Sequence, residues 1–444
     1  MATVGPLLTR AITRMQGVGG LNALALAAHF GGDETVGALP LYLKIPLIAP
    51  GVRESWKAYK GRVESEMLPL QTRIRNATGL ESDRLVAGNA LQILATPDQA
   101  LYLASFSELE IVELDPLVQV TTMDDATVDI DLVGYRTAHL GQDGAGVRVA
   151  VLDSGIDLHH PCLNVHHSSS TCGESDLIPG SHGTHCAGSI ASTDATYAGV
   201  APGVELYNIK VLRANGTGTS AFITKGIDAA LDLNVHVLSM SLGFNHLPPW
   251  WTGGHGWSCP TGNCPLCTAV DNASLLENTV CVVAAGNEHA SAAALRTAGQ
   301  SGSFDTELGC PGQAREAITV GALHKSTFVP ADFSSHGPTS YGIDKPVLAA
   351  PGVNVTSTIP VPRDSHGKPT LSPPRSMLFG RKSGTSMATP IVAGAAALVV
   401  QQYLTSGSPW TPAIVRSALL ARGVRAIPFP ANVVGDGRLL LTGP

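Results

Sequence analysis

From Val147 onward, short and almost wholly apolar runs alternate with longer helix-compatible stretches. The runs are VRVAVLD (147–153), VELYNIKVL (204–212), VHVLSMSL (235–242), VCVVAAG (280–286) and AITVGAL (317–323). Between them, residues 220–233 and 268–277 carry a helical pattern. A strand that is apolar on every position is covered on both faces, and helices between such strands supply the cover. The pattern therefore predicts an α/β fold, a doubly wound and mostly parallel sheet with helices on both faces.

The chain ahead of this region reads differently. LYLKIPLIA (41–49) is followed by a charged helical stretch (53–78), then LVAGNALQILA (85–95), a helix start at Thr96-Pro97-Asp98, and LEIVELDPLVQV (109–120). That β-α-β-α-β-β order predicts a small α+β domain built on one antiparallel sheet. Three parts are expected: a leader over 1–37, the small domain over 38–123, and the main domain over 124–444. In the leader, Arg10 and Arg14 precede a weakly apolar stretch (17–30) broken by Gly19, Gly20 and Asn22. It reads equally as a signal segment and as a mobile leader or short helix.

Composition narrows the partners. Of 444 residues, 44% are hydrophobic and 14% charged, an ordinary globular balance, and the net charge of −7 argues against nucleic acid or anionic lipid as a ligand. No apolar run reaches the roughly eighteen residues of a bilayer span, so no membrane association is expected. Eight cysteines occur. Cys162 and Cys172 share one loop, and Cys259, Cys264 and Cys267 another, with Cys310 downstream. Cys186 and Cys281 lie in buried-looking runs. An even count on loops predicts disulfides Cys162–Cys172, Cys259–Cys264 and Cys267–Cys310, and with them an oxidising, extracellular setting.

In a parallel sheet, sites form at the carboxyl ends of strands. Asp153 ends the first apolar run, His182 lies in SHGTHCAGSIA, Asn287 follows VCVVAAG, and Ser386 lies in SGTSMATPIVAGAAALV. Singly, each has a plain structural explanation: a turn, a helix cap, a satisfied core histidine. Together they supply what acyl transfer needs, a hydroxyl nucleophile, an imidazole base, a carboxylate to orient it and a donor for the oxyanion. Their surroundings are rich in glycine and alanine, which lets backbones approach closely.

The words DSGID, HGTHCAG, SMSLG, AAGN and GTSMATP resemble the subtilase family over about residues 134–425, with the triad in that family's Asp, His, Ser order. The resemblance implies a serine endopeptidase. Asp153 would orient His182, His182 would take the proton of Ser386, and Asn287 with the Ser386 backbone N–H would hold the oxyanion. It also implies substrate-pairing segments at 215–218, with Gly216 and Gly218, and at Ser241, Leu242 and Gly243. Ala284, Ala285, Gly286 and Gly309 would line the pocket for the residue before the scissile bond, with Glu288 at its rim. The small domain would be a propeptide that inhibits the enzyme until autocatalytic cleavage between Val120 and Asp125. Peptide or protein is the expected substrate and a monomer the expected state.

Four departures from the family pattern stand out. An insertion over 245–266 carries Trp250, Trp251 and Trp257. Its His255, Cys259 and Cys264, with Cys267 just beyond, read as disulfide loops or, alternatively, as a zinc site. The pocket loop over 287–309 is long. The stretch 189–200 is short where many relatives carry a calcium loop, so no cofactor is required and structural calcium has no recognisable loop. Val347 stands where relatives show Asp. Two other functions use the same residues: a peptide transferase or macrocyclase, in which the Trp-rich insertion shields the acyl-enzyme, and an inactive peptide-binding scaffold.

Overall fold

The computed structural model describes residues 3–4, 39–46, 54–87, 89–114, 117–118, 128–139, 141–251, 253–364, 367–370, 373–425 and 427–442. Most of the leader and the expected cleavage segment lie outside them. All five apolar runs form strands, Arg148–Asp153, Glu205–Lys210, Val237–Met240, Val280–Ala284 and Ile318–His324. They belong to a nine-stranded sheet. Its order runs Val424–Arg425, Arg438–Leu439, Leu348–Val353, Ile318–His324, Val280–Ala284, Val237–Met240, Arg148–Asp153, Glu205–Lys210, Val165–Ser170. Every adjacent pair is parallel except Val424–Arg425 with Arg438–Leu439.

Alternation of side chains along each strand divides the core into two layers. Val149, Val151, Val237, Val280 and Val282 face helices Ser181–Ala191 and Thr385–Ser406, packing with Ile190, Ile391 and Val392. Ala150, Leu152, Leu238, Met240 and Val283 face the other way, toward Ile223 and Ile227 of Ser220–Asp232 and Val270 of Pro265–Glu277. The fold is thus the doubly wound α/β sheet that the apolar runs imply. Helix Thr385–Ser406 is long and apolar enough to cross a bilayer by length and composition, but it is a core helix, buried from Thr385 through Gln401.

Arg148–Asp153 sits between Val237–Met240 on one side and Glu205–Lys210 on the other. From it the chain runs to the edge strand Val165–Ser170, returns through Glu205–Lys210, and then crosses to Val237–Met240 and onward on the other side. Such a reversal leaves a crevice at the carboxyl ends of the strands. Asp153 and Ser241 stand at that crevice.

Residues 39–114 build a second sheet. Leu39–Lys44 lies antiparallel between Ala90–Ala95 and Ile111–Leu114, Ser82–Leu85 pairs with Ala90–Ala95, and Thr3–Val4 runs parallel to Ile111–Leu114. The run 85–95 is therefore not one strand: it takes in the end of Ser82–Leu85, a turn with Asn89 at φ of 49°, and Ala90–Ala95, the second arm of that hairpin. Helix Trp56–Thr78 starts at the Ser55 cap and stops at Gly79, whose φ is 73°. Its Tyr59, Val63, Met67, Leu70 and Ile74 form a buried stripe at helical spacing. This core is continuous with helices Ser220–Asp232 and Pro265–Glu277. Asn272 Nδ2 donates to Ala87 O (2.8 Å) and Tyr59 Oη (3.1 Å), and Ala87 N donates to Asp228 Oδ1 (3.0 Å). Beyond this sheet, Leu117–Val118 pairs antiparallel with Gly218–Thr219.

Candidate active site

Asp153 ends its strand fully buried, and His182 lies in the first turn of Ser181–Ala191. His182 Nδ1 is 2.9 Å from both Asp153 oxygens. The approach depends on Gly183: a Cβ there would stand 2.7 Å from Gly155 O and 3.1 Å from Asp153 Cβ. Burial alone would raise the Asp153 pKa, but the charge and hydrogen bond of His182, with hydrogen bonds from Ser154, outweigh it and hold the carboxyl below its ordinary value. A carboxylate that stays ionised fixes the Nδ1–H tautomer and leaves Nε2 as the basic nitrogen. His182 Nε2 is buried and has no hydrogen-bond partner.

Ser386 opens the helix Thr385–Ser406 and is 4% exposed. Its Oγ donates to Ser241 O (3.1 Å), while Ser241 Oγ donates to Ser386 O (2.8 Å). Ser386 Oγ is thus bonded to Ser241 rather than to His182. Cys186, one turn after His182, has its sulfur 3.8 Å from His182 Nδ1 and 3.5 Å from Ser386 O, so it lies between the two elements. Burial, then the charge of Asp153, pushes its thiol pKa well up. A neutral thiol results.

Asn287 and Ser386 border one cavity of about 120 Å³. Asn287 Oδ1 accepts from Thr385 N (2.9 Å) and Thr385 Oγ1 (3.2 Å), which fixes the amide plane. Ser241, Leu242, Gly243, Ala284, Gly286 and Gly309 also line this cavity. Ala285 does not. It is a buried support whose carbonyl accepts from Gly309 N (2.9 Å). Gly286 needs to be glycine, because its φ is +113° and a Cβ would fall 2.3 Å from Glu288 Oε2. Gly216 forms a turn, its N–H donating to Arg213 O (2.8 Å), and Gly218 is the residue paired with Val118.

Five lining residues were not foreseen: Thr385, next to the nucleophile, and Phe244, Asn245, Gly253 and His255. For the last four the signal was available, since the insertion leaves directly from Gly243. The insertion is a wall of the cavity. Trp257 stacks on Phe244 (5.1 Å between ring centroids), and Trp251 packs on the Leu247, Ala292, Leu295 cluster. Glu288 is in the lining rather than merely at a rim. Burial pushes its pKa up to about 7 against hydrogen bonds from Ser335 and Asn245. Burial also lowers His255 to about 4.

None of the three expected disulfides is present, and all eight cysteines are free thiols. Asp194, within the short stretch 189–200, is bound by Arg375 at 2.7 Å. Val347 is buried in the core, and nothing in the structure gives its departure a role at the site.

Residues 144–428 match a family model described as the Subtilase family. Subtilisin E of Bacillus subtilis (strain 168) is 39% identical over 285 residues, covering 63% of this chain and 61% of that protein. Subtilisin of Bacillus pumilus is 38% identical over 285 residues, 63% of this chain and 84% of its own length. Serine protease AprX of Bacillus subtilis (strain 168) is 36% identical over 284 residues, 58% of each chain. The match thus spans less than two thirds of two of these three relatives. With the family model covering more than half of its length, the chain belongs to the Subtilase family.

Proposed function

We propose that this chain is a serine endopeptidase that hydrolyses peptide bonds through Asp153, His182 and Ser386, with Asn287 as oxyanion donor. The observation that carries the reading is the buried Asp153–His182 pair at 2.9 Å, set beside a cavity that Ser386 and Asn287 share. Attack requires Ser386 Oγ to leave the Ser241 carbonyl and turn its proton to His182 Nε2. Catalytic hydrogen bonds of this kind often tighten only when substrate is bound. His182 then takes the proton, Asp153 stabilises the imidazolium, and the oxyanion is received by Asn287 Nδ2 and the Ser386 N–H at the start of its helix. Nucleophile, base, orienting carboxylate and donor all come from the chain, so the mechanism calls for no cofactor.

The substrate backbone would pair with the edge at 215–218, where main-chain hydrogen bonds accept many sequences. In the structure Leu117–Val118 lies on the neighbouring Gly218–Thr219. That supports the small domain as an inhibitory propeptide whose carboxyl end occupies the cleft. Hydrolysis is taken before transfer to an amine because the Trp-rich insertion contributes Asn245, Gly253 and His255 to the pocket wall, a role that calls for no amine acceptor.

The test is fluorophosphonate labelling and peptide turnover by wild type and Ser386→Ala. Wild type should label at Ser386. The variant should lose label and about 10⁶ in kcat, a magnitude that belongs to subtilisin itself and is carried over from that relative. Near-wild-type turnover by purified Ser386→Ala protein would overturn the reading.

A further inference from the structure

Three cysteines at or next to the insertion meet a fourth from a distant part of the chain. The sulfurs of Cys259, Cys264, Cys267 and Cys310 all lie within 4.8 Å of one another, and Cys267 and Cys310 are 3.6 Å apart. Three of the residues are buried and Cys264 is half-buried. His255 is not among them, its Nδ1 accepting instead from Asn245 N at 3.2 Å. We propose that these four thiolates hold one divalent zinc-class ion in a structural tetrahedral site.

Geometry carries the argument. A tetrahedron of thiolates at a metal–sulfur distance of about 2.3 Å has sulfur–sulfur edges of about 3.8 Å. Four sulfurs all within 4.8 Å of one another, one pair at 3.6 Å, are spaced close to such edges, whereas two disulfides would draw them into two separate bonded pairs. The surroundings suit anionic sulfur. Cys264 N donates to Cys259 Sγ (3.3 Å), Cys267 N to Cys264 Sγ (3.4 Å), and Gln313 Nε2 to Cys310 Sγ (3.5 Å). Such donors to the coordinating atoms are the usual outer layer of a metal site. The Arg315 guanidinium, which offsets thiolate charge, is bound to the ligand loop through Thr261 O (2.6 Å) and Asn263 Oδ1 (2.8 Å). All-sulfur tetrahedral coordination selects zinc over hard oxygen-seeking cations.

The site has a structural purpose in the fold. Cys310 exchanges two backbone hydrogen bonds with Phe244, each 2.8 Å, and follows Gly309. Cys264 caps helix Pro265–Glu277. One ion would therefore tie both walls of the cavity to the helix behind it.

The test is metal analysis of the full chain, purified anaerobically. Roughly one zinc per chain is expected, and Co(II) exchanged for it should give the visible d–d and sulfur-to-metal charge-transfer bands of a tetrahedral thiolate site. Cys259→Ser with Cys310→Ser should lose the ion, while Cys162→Ser with Cys172→Ser should keep it. If the first pair does not fold, the Co(II) spectrum of the wild-type chain still decides. Mapping of Cys259–Cys264 and Cys267–Cys310 as disulfides overturns the proposal. So does a reduced, folded chain that takes up neither Zn(II) nor Co(II).

Discussion

Glu288 is the residue on which substrate choice should turn. It lies in the cavity wall with its pKa raised by burial to about 7, and its Oε2 accepts from Ser335 Oγ at 2.9 Å. Glu307 adds to the upward shift by repulsion, and His255, lowered to about 4, stays neutral across the window. A raised carboxyl pKa means the group is protonated below about 7 and acquires its charge as pH rises through that value. The pocket should therefore be neutral in mild acid and anionic in mild base. The prediction is a ratio of kcat/KM, lysine over leucine before the scissile bond, that climbs on the order of tenfold between about pH 6 and 8. Any pH effect common to the two substrates cancels in that ratio. Glu288→Gln should flatten it, and a wild-type ratio that does not change with pH would remove Glu288 from specificity.

At the scale of elements, local pattern was a good guide wherever burial is two-sided. VCVVAAG could only be a covered strand, and Val280–Ala284 is one. The polar Val165–Ser170 carried no such signal, because an edge strand has one neighbour and mixed exposure, here set by pairing with Glu205–Lys210. The turn before Ala90–Ala95 was legible in Gly88-Asn89, a turn pair that interrupts the apolar run, and reading 85–95 as one stretch passed over it. In the site, the words around Asp153, His182, Asn287 and Ser386 were legible because each is a short local motif. The role of the insertion was half legible: its departure just after Gly243 set it beside the pocket, while what fixes it there is Phe244 meeting Cys310, a pairing between distant segments. The docking of the small sheet is likewise long-range, and Asn272 is its buried polar anchor. Asn272→Ala leaves Ala87 O and Tyr59 Oη without its donor, which costs about 1–3 kcal/mol. In the intact Ser386→Ala chain this should speed amide exchange in Ala90–Ala95 by roughly 5- to 150-fold, with the nine-stranded sheet unchanged. Equal protection with and without the substitution would show that the anchor contributes nothing.

For the whole molecule, the route of the chain between its two sheets bears on how it is activated. The small sheet ends at Ile111–Leu114, and three residues later Leu117–Val118 pairs with Gly218–Thr219, with Gly218 opposite Val118. A segment held there is extended, the conformation that peptide substrates adopt along a sheet edge. The residues that follow, Val120, Thr121 and Thr122, are β-branched and favour the same conformation, and Asp124-Asp125 begins a polar stretch suited to solvent. Leu117–Val118 thus lies beside the edge at 215–218, and on the propeptide reading the first peptide bond cut by Ser386 should be one between Val120 and Asp125. Cleavage there would leave residues 38–122 in place, held by the contacts of Asn272, Asp228 and the shared apolar core, and inhibition would outlast the cut until that domain is released or degraded. The expected result is two fragments from the wild-type chain, with a new amino terminus mapped between residues 121 and 125. The Ser386→Ala chain should stay at full length, and addition of active wild-type enzyme should cut it at the same bond. A wild-type chain that is fully active while residues 38–122 remain covalently attached would make the small domain a permanent module and end the zymogen reading.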